Sequence, residues 1–78
     1  MNVSSARVLV DLETAETAVL ERIDLPQDFA ERLMQLGFLP GSDIEVGPAA
    51  PGGDPRVYRV DGSDIALRRE TAVHLILK

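Results

Sequence analysis

Seventy-eight residues with no cysteine and a net charge of −5 make one small acidic domain with neither disulfides nor thiolate metal ligands. A single lysine, Lys78, and a pI of about 4.6 exclude the basic surface through which proteins bind nucleic acid. No apolar run approaches the ~20 residues of a membrane span, and no basic region leads into an apolar core at the start, so membrane insertion and a secretory leader are not expected and the cytoplasm is.

Residues 1–7 are small and polar, and are expected to be loosely held. Val8-Leu9-Val10, running on to Asp11-Leu12, is an apolar segment that either adds a sheet edge or covers the core. After a polar connection, Ala18 to Ile23 reads as a strand, with Val19 and Ile23 on one face and Leu20 and Arg22 on the other. Asp24 is placed to cap a helix, with Gln27 as its capping-box partner and Pro26 tolerated in the first turn. Phe29, Leu33 and Leu36 form an i, i+4, i+7 stripe, flanked by Ala30 and Met34, that predicts the buried face of this helix.

The helix ends at Gly37, which can take the left-handed conformation, and Phe38 falls where a Schellman cap folds back onto Leu33. Leu39-Pro40-Gly41-Ser42 is a type II turn by composition. Ser42 to Val46 alternates polar and apolar, predicting a half-buried strand. Gly47 to Pro55 holds three prolines and three glycines in nine residues, and is read as a long loop between strands.

Arg56–Val60 and Ser63–Leu67 flank Asp61-Gly62, a strong signal for a type I′ hairpin. A two-residue turn sets Val60 opposite Ser63, Arg59 opposite Asp64, Tyr58 opposite Ile65 and Val57 opposite Ala66. Tyr58, Val60, Ile65 and Leu67 then share one face, and Arg59 meets an opposite charge on the other. Arg68 to Ala72 suits one helical turn, and Val73 to Leu77 a last strand with Leu75 and Leu77 inward. The pattern as a whole predicts a mainly β domain: a small five-stranded barrel capped by one α-helix, with a helical turn before the last strand.

The chemistry is sparse. Thirteen carboxylates are scattered without a paired spacing, and the only histidine, His74, stands outside any nucleophile–base motif, so no catalytic residues are assigned and no cofactor is expected. Gly52-Gly53 is followed by Asp54-Pro55 and lacks the Gly-Lys-Ser/Thr that opens a phosphate-binding helix. His74 is read as an exposed strand residue; with Glu70 it could at most contribute to a metal shared between two chains. Candidate partner contacts are Phe38 and Leu39, Pro51 and Gly52 in the long loop, and the basic pair Arg68-Arg69. The first reading of Arg68-Arg69 is nonetheless local, covering the barrel end and bonding nearby carbonyls.

The segments RLMQLGFLPGSDIEV, APGGDPRVYRV and DGSDIALRRETAVHLIL, in this order, resemble the FeoA family. The resemblance runs from about Ala18 to Leu77, and more weakly back to Asp11-Leu12, and rests on Leu36-Gly37 with Pro40-Gly41, Ala50-Pro51 with Gly53-Asp54-Pro55, and Ala66-Leu67-Arg68 with Ala72. It implies an SH3-like barrel and a cytoplasmic accessory role in ferrous iron uptake, exerted by docking on the cytoplasmic GTPase region of a FeoB-type membrane transporter. It implies no catalytic residues. The family often carries a glycine soon after its first leucine, whereas Glu13 to Thr17 contains none. The competing reading is a stand-alone SH3-like regulatory module, related to the C-terminal domain of metal-dependent repressors and binding a metal or a peptide. A proline-peptide binder would need more aromatics than three, and a weak homodimer stays open as a further association.

Overall fold

The computed structural model describes residues 7–78. A short 3-10 turn at Leu9–Asp11 leads into β1 (Thr17–Ile23), followed by α1 (Gln27–Gln35), β2 (Asp43–Ala49), β3 (Arg56–Val60), β4 (Ser63–Leu67), α2 (Arg69–Ala72) and β5 (Leu75–Leu77). All pairings are antiparallel, and the sheet order is β4-β3-β2-β1-β5. The sheet curls around one core, because Leu67 of β4 and Leu75 and Leu77 of β5 belong to the same buried cluster. Among the described residues the outer strands β4 and β5 are not hydrogen-bonded to each other, and α2 bridges the gap between them.

The N-terminal apolar segment fills both roles expected of it. Val8 bridges Ile76, the Leu77 amide donates to the Arg7 carbonyl at 2.9 Å, and Leu9 and Leu12 are buried. The loose terminus expected at residues 1–7 lies outside the described residues except for Arg7, which is tied down by that bond.

The cap of α1 forms as its sequence predicts. Phe38 donates to the Leu33 carbonyl at 3.1 Å and Gly37 to the Met34 carbonyl at 3.0 Å, the paired bonds of a Schellman motif, with Gly37 at φ +113°. Phe38 is driven fully into the core beside Leu33. The type II turn follows, with Ser42 donating to the Leu39 carbonyl at 2.9 Å.

The start of the helix departs from expectation. Its N-cap is Pro26, no side chain caps it, and Gln27 pairs with Glu31 along the helix rather than returning to Asp24. Asp24 is instead tied to the end of the chain, its amide donating to the His74 carbonyl at 2.8 Å. The buried stripe is also narrower: Ala30 and Leu33 are buried, while Phe29 and Leu36 stay exposed.

In β1 the core residues are Ala18 and Leu20, with Val19 half-buried. A register shift between Leu20 and Arg22 places one extra residue in the strand and returns Ile23 to the core, so strict alternation fails there. Beyond Gly47 the chain is not a plain loop. β2 continues to Ala49 through a second register shift, pairing with β3 alone, which lets Pro48 sit in a strand whose other side is free. Pro51–Gly53 makes a 3-10 turn, and the Asp54–Pro55 peptide is cis. The β3–β4 hairpin has the predicted register at every pair, with Asp61 at φ +52° and Gly62 at φ +77° as a type I′ turn requires.

The turn at Glu13–Glu16, which holds no glycine, is closed by a Glu16-to-Glu13 backbone bond of 3.0 Å, and Ala15 occupies its third position at φ +76°. Left-handed backbone costs an alanine about 1–2 kcal/mol. Ala15→Gly should therefore stabilise the domain by up to about 1 kcal/mol, the gain being reduced by glycine's greater freedom when unfolded. Gly37→Ala should do the opposite and cost about 1–3 kcal/mol, since the new methyl would lie at a strained φ and 3.2 Å from the Asp61 Cβ. Denaturant unfolding of both variants checks the two signs.

Candidate functional site

The expected contact residues separate into two groups at opposite ends of β2. Leu39 precedes the first residue of β2, whereas Pro51 and Gly52 follow its last, so about 20 Å of strand lies between them.

At the first end, Leu39 is 48% exposed, Leu36 47% and Phe29 40%. Phe29 and Leu36 are two helical turns apart and so lie on one side of α1, and Leu39 stands in the turn that ends it. These are the large apolar side chains exposed among the described residues, and they flank buried Leu33. Phe38 does not belong to this surface: at 0% exposure it is core, which corrects its reading as a contact residue. Its neighbour is turned outward for that reason, because the cap can send only one of the two side chains inward. Phe29 and Leu36 were hidden in the sequence by their own periodicity, which is that of a core stripe. A nine-residue helix set over the end of a small barrel has room below it for Ala30 and Leu33 only.

At the second end, the Pro51–Gly53 turn and the start of α2 are joined by one bond, from the Arg69 amide to Asp54 Oδ1 at 2.9 Å. The exposed residues Pro51, Gly52, Arg68 and Arg69 therefore lie near one another, apart from Leu39. The carbonyl-bonding arginine, however, is Arg56. Its Nη1 donates to the Leu12 carbonyl at 2.9 Å, whereas Arg68 and Arg69 make no such side-chain bond among the described residues. The sequence carried a signal for Arg56: it lies on the same strand face as Tyr58 and Val60, where a charged residue is out of place. Between these parts lies a cleft of about 30 Å³, lined by Val10, Gly53, Asp54, Arg56, Tyr58, Leu67 and Arg69. A broader groove of about 240 Å³ runs along the outer sheet face past Glu45, Pro48 and Val57 to the Arg59–Asp64 pair, whose guanidinium Nε stands 2.9 Å from the carboxylate. The Arg59 hydrogen bond holds the Asp64 carboxyl below its usual range.

His74 lies in the turn between α2 and β5, not in a strand, and Glu70 lies in α2, which ends at Ala72. Both are exposed, but they do not share one helix. Among the described residues no three His, Cys, Asp or Glu side chains gather into a metal-binding group, and no helix is long and apolar enough to cross a membrane.

A five-stranded antiparallel barrel with a helix set over its end, an apolar patch beside that helix and an arginine-lined cleft at the far end define a small SH3-like domain. The FeoA domain model matches residues 7–78, and the chain belongs to the FeoA family. It is 36% identical over 67 residues to the fusion of Fe(2+) transport protein A with Fe(2+) transporter FeoB from Porphyromonas gingivalis; the match takes in 86% of this chain but 8% of that much longer protein. Zinc-complexed FeoA from Stenotrophomonas maltophilia, a prokaryotic SH3 domain protein, superposes with a TM-score of 0.81 at 31% identity, over 94% of this chain and 91% of that one. Iron(II) transport protein A from Clostridium thermocellum gives a TM-score of 0.85 at 30% identity, over 92% and 44%. The relatives so named are proteins of Fe(2+) transport.

Tyr58 is the sole tyrosine, so tyrosinate absorbance reports its ionisation alone. Burial raises its pKa above the ordinary value near 10, and the charges of Arg56 and Arg69 oppose that rise only in part. Because the folded value exceeds the unfolded one, the stabilisation is complete below about pH 10 and is lost as pH rises through the folded value. Spectrophotometric titration should give a midpoint above that of free tyrosine, and Tyr58→Phe should remove this part of the alkaline loss of stability.

Proposed function

We propose that this domain is a cytoplasmic accessory protein of ferrous iron uptake that binds the GTPase region of a FeoB-type transporter and modulates it through protein contact, without catalysis of its own. The observation that carries this reading is the relative in which the same domain is fused to FeoB. A domain encoded in one chain with a transporter is held beside it at high effective concentration, which a separate chain must match by affinity. The exposed apolar patch at Phe29, Leu36 and Leu39 supplies a surface suited to that task, since contact of this kind excludes water from large aliphatic and aromatic groups.

The experiment is co-purification and titration of the domain against the cytoplasmic region of its cognate transporter, in apo, GDP-bound and GTP-analogue-bound states. The wild type should bind in at least one state. Leu39→Asp and Leu36→Asp should each weaken binding by roughly tenfold or more, the loss expected when an interface anchor is removed. Both should leave thermal stability nearly unchanged, because the side chains replaced are exposed. Absence of wild-type binding in every nucleotide state would remove this reading.

A further inference from the structure

Among the described residues the sheet leaves one of its outer strands uncovered. At one limit β5 is bridged by Val8, and its Leu77 amide is bonded to Arg7. The part of β2 that runs beyond β1 carries Pro48, which cannot donate to a further strand. β4 has neither device. It pairs with β3 alone, without a register shift and without a proline, and among the described residues no backbone bond reaches its other side. Val60 and Ser63 close a two-residue turn, so hydrogen-bonded pairs recur at Tyr58–Ile65 and Arg56–Leu67, and the pairs between them exchange no bonds. The amides and carbonyls of Asp64 and Ala66 therefore point away from β3. Arg68 continues the run in an extended conformation, at φ −72° and ψ 151°, with its amide directed the same way. All three residues are exposed.

What fits this edge follows from its own side chains. Asp64, Ala66 and Arg68 alternate with Ile65 and Leu67 and so share the outer face, acidic at one end, small in the middle and basic at the other. An added antiparallel strand is favoured when it sets a base opposite Asp64 and an acid opposite Arg68. A second β4, related by a two-fold axis at Ala66, does both: Asp64 faces Arg68 of the second copy, and Arg68 faces its Asp64. The two Ala66 residues then bond amide to carbonyl, and each Arg68 amide reaches the opposite Asp64 carbonyl. The neighbouring register, with Ile65 opposite Ile65, sets Asp64 against Ala66 and forms no ion pair. Asp64 already meets Arg59, Nε to Oδ1 at 2.9 Å, but its Oδ2 is engaged only at 3.4 Å and keeps acceptor capacity for a second guanidinium.

We propose that β4 is a self-association edge, through which two copies of this chain pair antiparallel in the Asp64–Arg68 register and join their sheets into one. A contact limited to a five-residue strand and its flanks belongs to the weak, reversible class, so the monomer predominates in dilute solution. This edge shares no residue with the Phe29, Leu36 and Leu39 patch, and the inference does not depend on the transporter reading, since it is measured on the domain alone.

The test is sedimentation velocity from micromolar to millimolar protein, with amide hydrogen exchange at both limits. The wild type should move from monomer towards dimer, and the amides of Asp64, Ala66 and Arg68 should gain protection as it does. Arg68→Glu opposes acid to acid across the pairing and Asp64→Lys opposes base to base. Each should weaken dimerisation by up to about fivefold for every ion pair lost, the range for exposed charge pairs. Mixed in equal amounts, the two variants regain both ion pairs in a heterodimer, one in the native sense and one with its charges exchanged. They should therefore associate with each other more tightly than either does with itself. Mixing cannot repair a substitution that merely disturbs the fold. A chain that stays monomeric at millimolar concentration, protection of the three amides that does not change with concentration, or a mixture no tighter than its components would each overturn the proposal. So would a dimer weakened by Leu36→Asp and not by Arg68→Glu, which would assign the association to the apolar patch.

Discussion

The end of α1 is the constraint on which the rest of this small domain depends. Two backbone bonds, Phe38 to Leu33 and Gly37 to Met34, fix the angle at which the chain leaves the helix. That angle drives Phe38, the largest of the fully buried side chains, into the middle of the core. Removing a phenylalanine from such a position typically costs about 3–5 kcal/mol, a large share of the roughly 5–15 kcal/mol by which native proteins are stable. The same cap starts the turn that feeds β2, and β2 pairs with both β1 and β3. Helix placement, core filling and sheet order are thus decided within a few residues.

Those residues were also the most legible part of the sequence. Glycine after an apolar turn, then Pro-Gly before an alternating run, permits few backbone paths, because each residue type excludes conformations by sterics alone. The hairpin was legible for the same reason: Asp61-Gly62 fixes the turn, the turn fixes the register, and the Arg59–Asp64 pair then follows. Where the outcome depended on distant chain, the sequence said less. The bulge in β1, the path of β2 past Pro48 and the tie from Asp24 to His74 all arise from partners far along the chain. The Ala15 turn falls between these cases. The missing glycine was visible, but only the backbone reveals that alanine accepts the left-handed conformation there.

The contact residues divide along the same line. Leu39 could be singled out because a capped helix end cannot bury two consecutive large side chains. Phe29 and Leu36 could not, since periodicity reports which residues share a face and not how wide a support that face will find. Burial in a domain of this size is limited by the area of the surface below the helix. An apolar stripe broader than that support spills onto the exterior, and the excess is an exposed patch.

The two ends of β2 therefore offer different physics to whatever binds them. The α1 end presents apolar side chains, whose burial is non-directional and nearly indifferent to salt. The loop end presents the exposed charges of Arg68 and Arg69, whose attraction for an anionic group is screened by salt. A domain with both can attract a partner by apolar area at one end and by charge at the other. The rigid sheet between the ends keeps the two surfaces about 20 Å apart, so that simultaneous engagement demands a partner of matching span, and this geometric demand is itself a source of selectivity.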